Sequence, residues 1–397
     1  MKSLDTTQIQ LNDIERIYPS TTVVELVYSD SQQALFVSAP DWRDETQSRV
    51  LRINPQKFSV ESEIALEVKG FGITLDDSRG LLYLTQGFNG SVAVVDITEN
   101  KLIATIPLME EVVFEQLYQQ EGISGKRLAF LMRELARFGV SEGYPWKLRE
   151  LVFDPLSERL FLPGLGLGIN SVLFVVDTRQ RKLEKIIPGF GYNVVGITLD
   201  RDGRRIFVSN MQGQLFVVNP DTLGIVCCHE VAVDQLLNMV FDRRQNRLIG
   251  VDQGIDRSGW RNNHLEREYI PRSKGHEVFV LNADTAEIIA RMATDEIPIG
   301  LAWDCNRERL YVANRRGIRV DKGEGTLTVF NTINYTLLQT LPFHPHPNSL
   351  AFDTEKKQLF ITVKNDETLI RDKHPECVAR VRLSNVFETS DHRPLST

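Results

Sequence analysis

Two short segments of the sequence carry side chains that could perform acid–base chemistry or hold an anion. Arg149 and Glu150 directly precede the segment LVFD, and His346 and Asn348 flank Pro347 just ahead of the similar segment LAFD. A confined glutamate or a histidine can act as a general acid or base, and an arginine binds carboxylate or phosphate groups. If the fold brings the two segments together, Glu150 and His346 become candidate acid–base residues, with Arg149 holding an anionic substrate.

Both segments belong to a pattern that occurs seven times in the chain. Each copy has an apolar anchor residue, an aspartate three positions later (a serine in the first copy), and an apolar pair six and seven positions beyond that polar residue. The anchors are Leu26, Ile73, Leu151, Ile197, Met239, Leu301 and Leu350. A match in every copy indicates an internal repeat, and that repeat must position the candidate chemical groups.

Each repeat predicts four short strands. The pattern indicates a strand, a tight turn and a second strand; a third strand follows, and a fourth runs toward a proline in several copies. Four β-rich runs bounded by turn residues are typical of a propeller blade. One four-stranded sheet cannot bury both of its faces, whereas seven sheets arranged radially can. The 397 residues therefore predict a single all-β domain, residues 1–397, folded as a seven-bladed β-propeller.

The repeat also predicts where each blade begins and ends. Blades one to seven cover approximately residues 21–66, 70–108, 148–188, 193–231, 236–294, 298–342 and 346–385. A helical hairpin is predicted at about 110–147, between blades two and three, because apolar residues recur there at helix-face spacing. Blade seven lacks a good fourth strand, and IERIYP near the N-terminus matches LEKIIP of blade three in spacing. Residues 10–19 are therefore predicted to close blade seven as its outer strand.

The long loops are all predicted to lie on one face of the propeller. The turns between second and third strands share a face with the connections between blades. The predicted hairpin is such a connection, and segment 253–275 of blade five is such a turn, as are smaller expansions in blades one, six and seven. Loops held by a rigid scaffold commonly carry function, so this insert-bearing face is the candidate site. The hairpin has three interpretations: a lid over the channel, a docking surface, or a helix pair packed inertly on neighbouring blades.

Candidate ligand-binding residues come from that face and from the central channel. The start of each innermost strand borders the channel, and glycines at this position in alternate blades are expected to leave room there. Aromatic rings on the long loops favour a ligand or partner surface, or else pack the loops onto the blades. The predicted ligand-binding residues are Glu25, Trp42, Arg43, Phe71, Trp146, Tyr192, Asn238, Asp252, Trp260, Arg315 and Asn348. The alternative is that the polar groups bond to each other and to channel water, joining the blades.

Four histidines raise the question of a metal ion. His344 and His346 are placed beside the channel, and His264 and His276 lie in or next to the insert of blade five. Two histidines separated by one residue could hold a metal together with other ligands, but spacing alone does not make the four converge. We therefore predict neither a bound metal nor another cofactor.

Charge and hydropathy restrict the classes of partner. The net charge of −7 gives no global basic field for duplex DNA or an anionic membrane, and no apolar run is long enough to cross a bilayer. A local group of arginines in blades five and six suits a carboxylate or phosphate ligand or, more weakly, single-stranded nucleic acid. Its members are Arg257, Arg261, Arg315, Arg316 and Arg319. The N-terminus lacks the apolar core of a secretory leader, which predicts a cytoplasmic protein, or a periplasmic one if a leader was removed.

The repeat units resemble a known family. GFGITLDDSRGLLYLTQGFNGSVAVVDITENKLIATIPL resembles the YVTN-type repeat, and LRELVFDPLSERLFLPGLG and HPNSLAFDTEKKQLFITVK resemble the bacterial YncE family of seven-bladed propellers. The resemblance spans about residues 10–385 and includes the Arg149-Glu150 and His346-Pro347-Asn348 segments. It implies the fold and little about chemistry, since the family has no established reaction. Many of its members are exported, and the missing leader departs from that pattern.

The sequence leaves two hypotheses of different classes. The first is a propeller that binds a small anionic or aromatic ligand, or a protein partner, in the funnel of the insert-bearing face. The second is an enzyme acting on a small metabolite there, with Glu150 and His346 in acid–base roles and Arg149 as the anion holder. The fold does not choose between them, because propellers host both scaffolds and catalysts.

Overall fold

Seven antiparallel sheets form the blades of the protein, in a computed structural model that describes residues 9–10 and 13–383. The first strand in the chain, β1 (Ile14–Ser20), belongs to the last blade. Blade one contains β2 (Leu26–Ser29), β3 (Ala34–Ala39), a short 3₁₀ helix (Glu45–Gln47), β4 (Arg49–Asn54) and β5 (Ser59–Ala65). Blade two contains β6 (Ile73–Asp76), β7 (Leu81–Gln86), β8 (Ser91–Asp96) and β9 (Lys101–Pro107). The predicted fold class, an all-β seven-bladed propeller, is confirmed.

Two helices and a small two-stranded sheet connect blades two and three. They are β10 (Val112–Val113), α1 (Phe114–Gln120), α2 (Gly125–Ala136) and β11 (Glu142–Gly143). Blade three follows with β12 (Trp146–Leu148), β13 (Val152–Asp154), β14 (Arg159–Gly166), β15 (Val172–Asp177) and β16 (Lys182–Pro188). Its innermost strand is thus split into β12 and β13, which both pair with β14.

The other four blades repeat the same order. Blade four contains β17 (Val194–Asp200), β18 (Arg205–Asn210), β19 (Gln214–Asn219) and β20 (Gly224–Glu230). Blade five contains β21 (Leu236–Asp242), β22 (Arg247–Asp252), α3 (Ser258–Leu265), β23 (Glu277–Asn282) and β24 (Ile288–Ala293). Blade six contains β25 (Pro298–Asp304), β26 (Arg309–Asn314), β27 (Thr326–Asn331) and β28 (Thr336–Pro342). Blade seven contains β29 (His346–Asp353), β30 (Gln358–Lys364), α4 (Glu367–Arg371) and β31 (Glu376–Arg382), with β1 as its outer strand.

The core lies between neighbouring blades. Alternate residues of each strand point into the space between two sheets, and seven clusters of buried apolar side chains each join one blade to the next. One cluster packs Leu26 and Val37 of blade one with Phe360 and Val378 of blade seven, so the ring is closed. This packing explains the apolar part of the repeat, because a sheet that lost either neighbour would expose one face to water.

The repeated aspartate stabilises the turn after the innermost strand. In blade three, Asp154 is fully buried and accepts a hydrogen bond from the backbone N–H of Leu156 at 3.1 Å. It also accepts one at 2.8 Å from Arg204 of blade four. A buried carboxylate needs such partners. The hydrogen bonds that compensate the burial of Asp154 therefore come partly from its own turn and partly from the next blade.

The alternate glycines at the channel permit a close approach between blades. A Cβ atom on Gly72 would lie 1.6 Å from the backbone oxygen of Arg149, and one on Gly300 would lie 1.9 Å from that of Asn348. These separations exclude every side chain. The prediction that these glycines leave room for a ligand is therefore wrong, because the backbone of the neighbouring blade already fills the space.

The N-terminal strand is joined to blade seven by backbone pairing and by charge. β1 pairs antiparallel with β31, with Ile14 opposite Val381. The Arg380 side chain, only 3% exposed, forms a salt bridge with Glu15 and lies over the Phe58 ring of blade one, 4.7 Å from its centroid. Arg380 therefore connects the two ends of the chain at the seam between the first and last blades.

Candidate functional site

Irregularities in the innermost strands position the channel residues. Arg149 and Glu150 lie in the break between β12 and β13. In blades four to seven, the pairing of the innermost strand shifts register at residues 194–196, 236–239, 298–300 and 347–350. An extra unpaired residue bends a strand and redirects its side chains. The regular pairing of the innermost strands is thus interrupted at the channel, where the candidate residues lie.

The structure brings most of the candidate residues of blades one, six and seven into contact. The Asn348 carboxamide accepts a hydrogen bond from Arg315 and donates one to the Val24 carbonyl oxygen at 2.7 Å. The His346 Nδ1–H donates to the Arg315 carbonyl oxygen at 2.7 Å. Since a carbonyl oxygen only accepts, Nδ1 carries the proton. The other ring nitrogen, Nε2, is buried without a hydrogen-bond partner among the described residues.

Two carboxyl groups in the channel have elevated pKa values. Burial and the nearby Glu150 carboxylate raise the pKa of Glu25 to about 8, although Ser349 donates a hydrogen bond to Glu25. Burial also raises the pKa of Glu150, an effect that Arg149 opposes. Glu25 is therefore mainly protonated at neutral pH and does not neutralise the cations beside it.

This protonation predicts that stability falls as pH rises. In the unfolded chain Glu25 ionises near pH 4.5, whereas in the folded protein it holds its proton to about pH 8. Its contribution is therefore complete below pH 4.5 and is lost as pH increases to 8, by at most ~1.4 kcal/mol per pH unit. Urea unfolding between pH 5 and pH 8.5 should show this decline, and Glu25→Gln should flatten it. Glu63→Gln, at an exposed glutamate, should leave the slope unchanged; equal slopes for all three proteins would contradict the elevated pKa.

Arg315 is a partly buried cation that forms no salt bridge with a described residue. Burial and the neighbouring Arg149 cation lower the pKa of Arg315 to about 10. Its Nε is buried and makes no hydrogen bond within the described part of the chain, and its one side-chain acceptor is the neutral Asn348. Arg149 is exposed, and it acts electrostatically on the Glu25 and Glu150 carboxyl groups as well as on Arg315. The centre of the funnel therefore has an excess of positive charge.

A cavity of about 550 Å³ lies at this position, lined by loops of blades one, six and seven. Its lining includes Arg315 and His346 together with an ion pair, Lys364 with Glu376, whose nitrogen and oxygen are 2.5 Å apart. Burial lowers the pKa of Lys364, and Glu376 opposes this effect. The cavity is also lined by Trp42, Arg43, Ile318, Arg319, Ile370 and His374.

The predicted Trp42 and Phe71 form an aromatic cluster beside the cavity. The ring centroids of Trp42, Phe71 and Phe88 are 5.4 to 5.7 Å apart. Trp42 is 55% exposed, and the Lys147 ammonium group lies 5.4 Å from the Phe88 centroid. These contacts join the long loop of blade one to the chain that follows the helical connection, so both lie on the insert-bearing face.

The other predicted aromatic residues pack the inserts onto the blades. Trp260 of α3 contacts Phe130 of α2, with ring centroids 5.4 Å apart. Trp146 donates a hydrogen bond from Nε1 to the Asn170 carbonyl oxygen at 2.9 Å, and Tyr192 packs against the His264 ring. The two large inserts thus contact each other over blades three to five, away from the cavity of blades one, six and seven.

Two further predicted residues make structural contacts at other positions. Asn238 donates from its carboxamide to the Ile299 carbonyl oxygen of blade six at 2.8 Å. Asp252 is fully buried, accepts a hydrogen bond from Ser273, and has a pKa raised by burial. Neither contacts the Arg315 group through a described hydrogen bond.

The histidines do not form a cluster. His264 bonds to the Asn170 side chain at 3.1 Å, and His276 accepts from the Ile297 N–H at 3.1 Å. Among the described residues, no group of three or more His, Cys, Asp or Glu side chains is arranged to hold a metal ion.

Several site residues, among them Lys364, Glu376 and Phe88, were not found by sequence reasoning. Lys364 and Glu376 lie at the two ends of the long loop of blade seven, where β30 ends and β31 begins, and Phe88 lies in a tight turn of blade two. The only signal for them was their position at strand ends that face the insert-bearing side.

Comparisons with known proteins agree with the repeat. No protein-family model matches the chain. The uncharacterized protein YncE of Salmonella typhi is 23% identical over 363 residues, which cover 90% of this chain and 88% of that protein. YncE of Escherichia coli strain K12 is 24% identical over 364 residues with the same coverage. The chain is a YncE-like seven-bladed β-propeller.

Solved structures resemble this YncE-like propeller at lower identity. The β-propeller domain of Myceliophteria thermophila Cps50 (Swd1) superposes with a TM-score of 0.62 at 8% identity, covering 95% of this chain and 99% of that one. Hydrazine synthase of Kuenenia stuttgartiensis gives a TM-score of 0.63 at 14% identity, with 92% and 96% covered. These likenesses concern the fold alone. In the described part of the YncE-like chain, none of the helices has the length and apolar character needed to cross a lipid bilayer.

Proposed function

We propose that the protein binds a small anionic ligand in the funnel of the insert-bearing face, through a carboxylate, phosphate or similar group held by Arg315 and Arg149. The observation that carries this proposal is the Arg315 side chain, which lines the cavity, is partly buried, has an Nε without a hydrogen-bond partner and forms no salt bridge in the described chain. The bound anion would supply the missing negative charge.

The cost of desolvating a charge favours an anion beside Arg315. Removing an ion from water costs several kcal/mol unless an opposite charge compensates it. Glu25 is one carboxyl group that acts on Arg315, but its elevated pKa keeps it mainly protonated at neutral pH. An arginine in this state is prepared to bind an anion, because its desolvation has already been met during folding.

The size and lining of the cavity fit a small molecule. About 550 Å³ is within the range of ~300–1,000 Å³ common for ligand pockets. Trp42, Ile318 and Ile370 contribute apolar surface to the lining. Such a lining would cover the uncharged part of a ligand while the arginines hold its anionic group.

Sulfate is a suitable probe, because its charge is constant above pH 5. Titration followed by isothermal calorimetry, at fixed ionic strength with chloride as the replacement anion, should give one saturable site per chain. Binding should weaken between pH 6.5 and pH 9 as Glu25 ionises and repels the anion. If neither sulfate nor phosphate shows saturable heat below 10 mM, on the order of the weakest specific affinities, the proposal is wrong.

A second candidate function is catalysis in the same funnel. It is favoured by His346, whose Nε2 is buried without a partner while Nδ1–H is fixed on a carbonyl oxygen. Burial lowers the pKa of His346, which favours the neutral ring, whose Nε2 can accept a proton. In this proposal Glu150 and His346 exchange protons with the substrate and Arg149 holds its anionic group. Turnover that survives both Glu150→Gln and His346→Ala would exclude it.

A further inference from the structure

A second cavity, of about 250 Å³, lies beside the insert of blade five and shares no lining residue with the funnel cavity. Its lining includes three acidic and three basic side chains: Asp234, Asp252, Asp256, Arg257, Arg261 and Lys274. None of these six side chains forms a salt bridge with a described residue. The fully buried Arg247 and Asp242 of the same blade, in contrast, pair at 2.8 Å. Charges of both signs therefore line this cavity without neutralising each other by contact.

The cationic side of this cavity is built around a buried arginine. Arg261 is 4% exposed, its guanidinium lies over the Tyr269 ring at 4.4 Å from the centroid, and its Nε is buried with no hydrogen-bond partner among the described residues. The partly buried Arg257 donates one hydrogen bond, to the neutral Gln253 side chain at 3.3 Å. Ser258, the first residue of α3, also lines the cavity, so the positive end of the helix dipole reinforces the two arginines. This side can therefore bind a carboxylate.

The acidic side of the cavity has two buried carboxylates that share one serine. Asp252 is fully buried and Asp234 is 4% exposed. The Ser273 hydroxyl group donates to Asp252, and the Ser273 N–H donates to Asp234 at 3.1 Å. The remaining donors are also neutral, among them the Gln235 N–H to Asp252 at 3.2 Å and the Tyr269 hydroxyl group to Asp234 at 2.9 Å. An ammonium group has three donors and can bond to two neighbouring carboxylates at once.

We propose that this cavity binds a small zwitterion of the amino-acid class, with its carboxylate at Arg261 and its ammonium group at Asp234 and Asp252. A simple anion would leave the two carboxylates uncompensated, and a simple amine would leave the guanidinium uncompensated, whereas a zwitterion satisfies both sides. The volume of about 250 Å³ lies just below the ~300–1,000 Å³ of common ligand pockets, which favours a small ligand. Asp256 and Lys274 of the lining are exposed, so the cavity is open to solvent.

The test compares amino acids with analogues that lack one of the two charges. Calorimetry is performed with glycine, alanine, β-alanine, γ-aminobutyrate and 5-aminovalerate, each against the carboxylate without the amino group and the amine without the carboxylate. At least one amino acid should bind tenfold or more tightly than both of its analogues, because each analogue loses one charge-assisted contact. Arg261→Gln and Asp252→Asn should each weaken the binding of that amino acid tenfold or more.

Arg267→Gln is the matched control, because Arg267 is exposed in the same insert and does not line the cavity; it should not change amino-acid affinity. Arg315→Gln should also retain amino-acid binding, since Arg315 lines only the funnel cavity. Loss of binding in that variant would place the amino acid in the funnel and overturn the inference.

Thermal melting shows whether each variant is folded, and the comparison of analogues on the parent protein tests the inference even where a variant does not fold. Amino acids that bind no more tightly than their carboxylate or amine analogues, or that give no saturable heat, would overturn the inference. Neither result bears on the proposed function, which concerns the binding of sulfate in the other cavity.

Discussion

Replacing Arg315 with glutamine is expected to abolish sulfate binding and, at the same time, to make the protein more resistant to unfolding. The Arg315 side chain is partly buried, its Nε has no hydrogen-bond partner, and it forms no salt bridge with a described residue, while the Arg149 cation lowers its pKa. Its removal relieves charge repulsion and desolvation, while the glutamine amide can still donate a hydrogen bond to Asn348. The same change removes the principal contact of the anion, for which losses of ~2–5 kcal/mol are common, or thirtyfold or more in Kd.

The two effects are measured on the same variant. Calorimetry gives the loss of sulfate affinity, and urea unfolding without added anion gives the gain in stability. Residues selected for binding are often suboptimal for stability, which is why the two should change in opposite directions. The control is Arg316→Gln, at an arginine with a carboxylate partner. An Arg315→Gln protein that is clearly less stable than the parent would show that Arg315 stabilises the fold and is not a residue kept for anion binding at the expense of stability.

Replacing Arg380 with alanine is expected to cause the largest loss of stability of any single change considered. The side chain is 3% exposed and makes four contacts across the ring closure: the Glu15 salt bridge, the Phe58 ring, and hydrogen bonds to the backbone oxygens of Pro55 and Gln56. Truncation leaves two carbonyl groups without a donor and a void beside Phe58. The expected cost is about 3–5 kcal/mol in the free energy of unfolding, measured in urea.

Arg382 provides the matched control. It pairs with the same Glu15, at 2.5 Å, but its side chain is 60% exposed. Exposed ion pairs contribute ~0–1 kcal/mol, so Arg382→Ala should remain close to the parent protein. Equal losses of stability for the two variants would mean that the ion pairs with Glu15 stabilise the seam and that the burial of Arg380 contributes nothing further. Parent-like stability of Arg380→Ala would show that the seam between the first and last blades is held by strand pairing alone.

The architecture could be predicted because the same physical requirement applies to every blade. Each sheet must bury both faces, so the apolar positions recur, and each turn needs an acceptor, so the aspartate recurs. The closure of blade seven by the N-terminal strand could also be predicted from the sequence, since IERIYP has the spacing of an outer strand. The predicted strand covered residues 10–19, and in the structure β1 covers Ile14–Ser20. The role of Gly72 was not accessible, because sequence does not show which backbone atom lies 1.6 Å from an added Cβ.

The candidate site could be predicted only in part. Glu25, Arg149, Glu150, His346 and Asn348 were found because the repeat fixes which residue of each unit borders the channel. Lys364, Glu376 and Phe88 belong to turns and strand ends where the repeat imposes no pattern. The charge state of the funnel was not accessible either, because the pKa of Glu25 depends on burial and on Glu150, which are brought together only by the closed ring.

The position of a bound anion tests the central claim most directly. Selenate has the shape and charge of sulfate and scatters anomalously at the selenium edge. Crystals grown with selenate should give their strongest anomalous peak within hydrogen-bonding distance of the Arg315 guanidinium, with the Arg149 side chain turned toward it. Saturating selenate that gives peaks only at exposed surface residues, with the funnel occupied by water alone, would contradict the account.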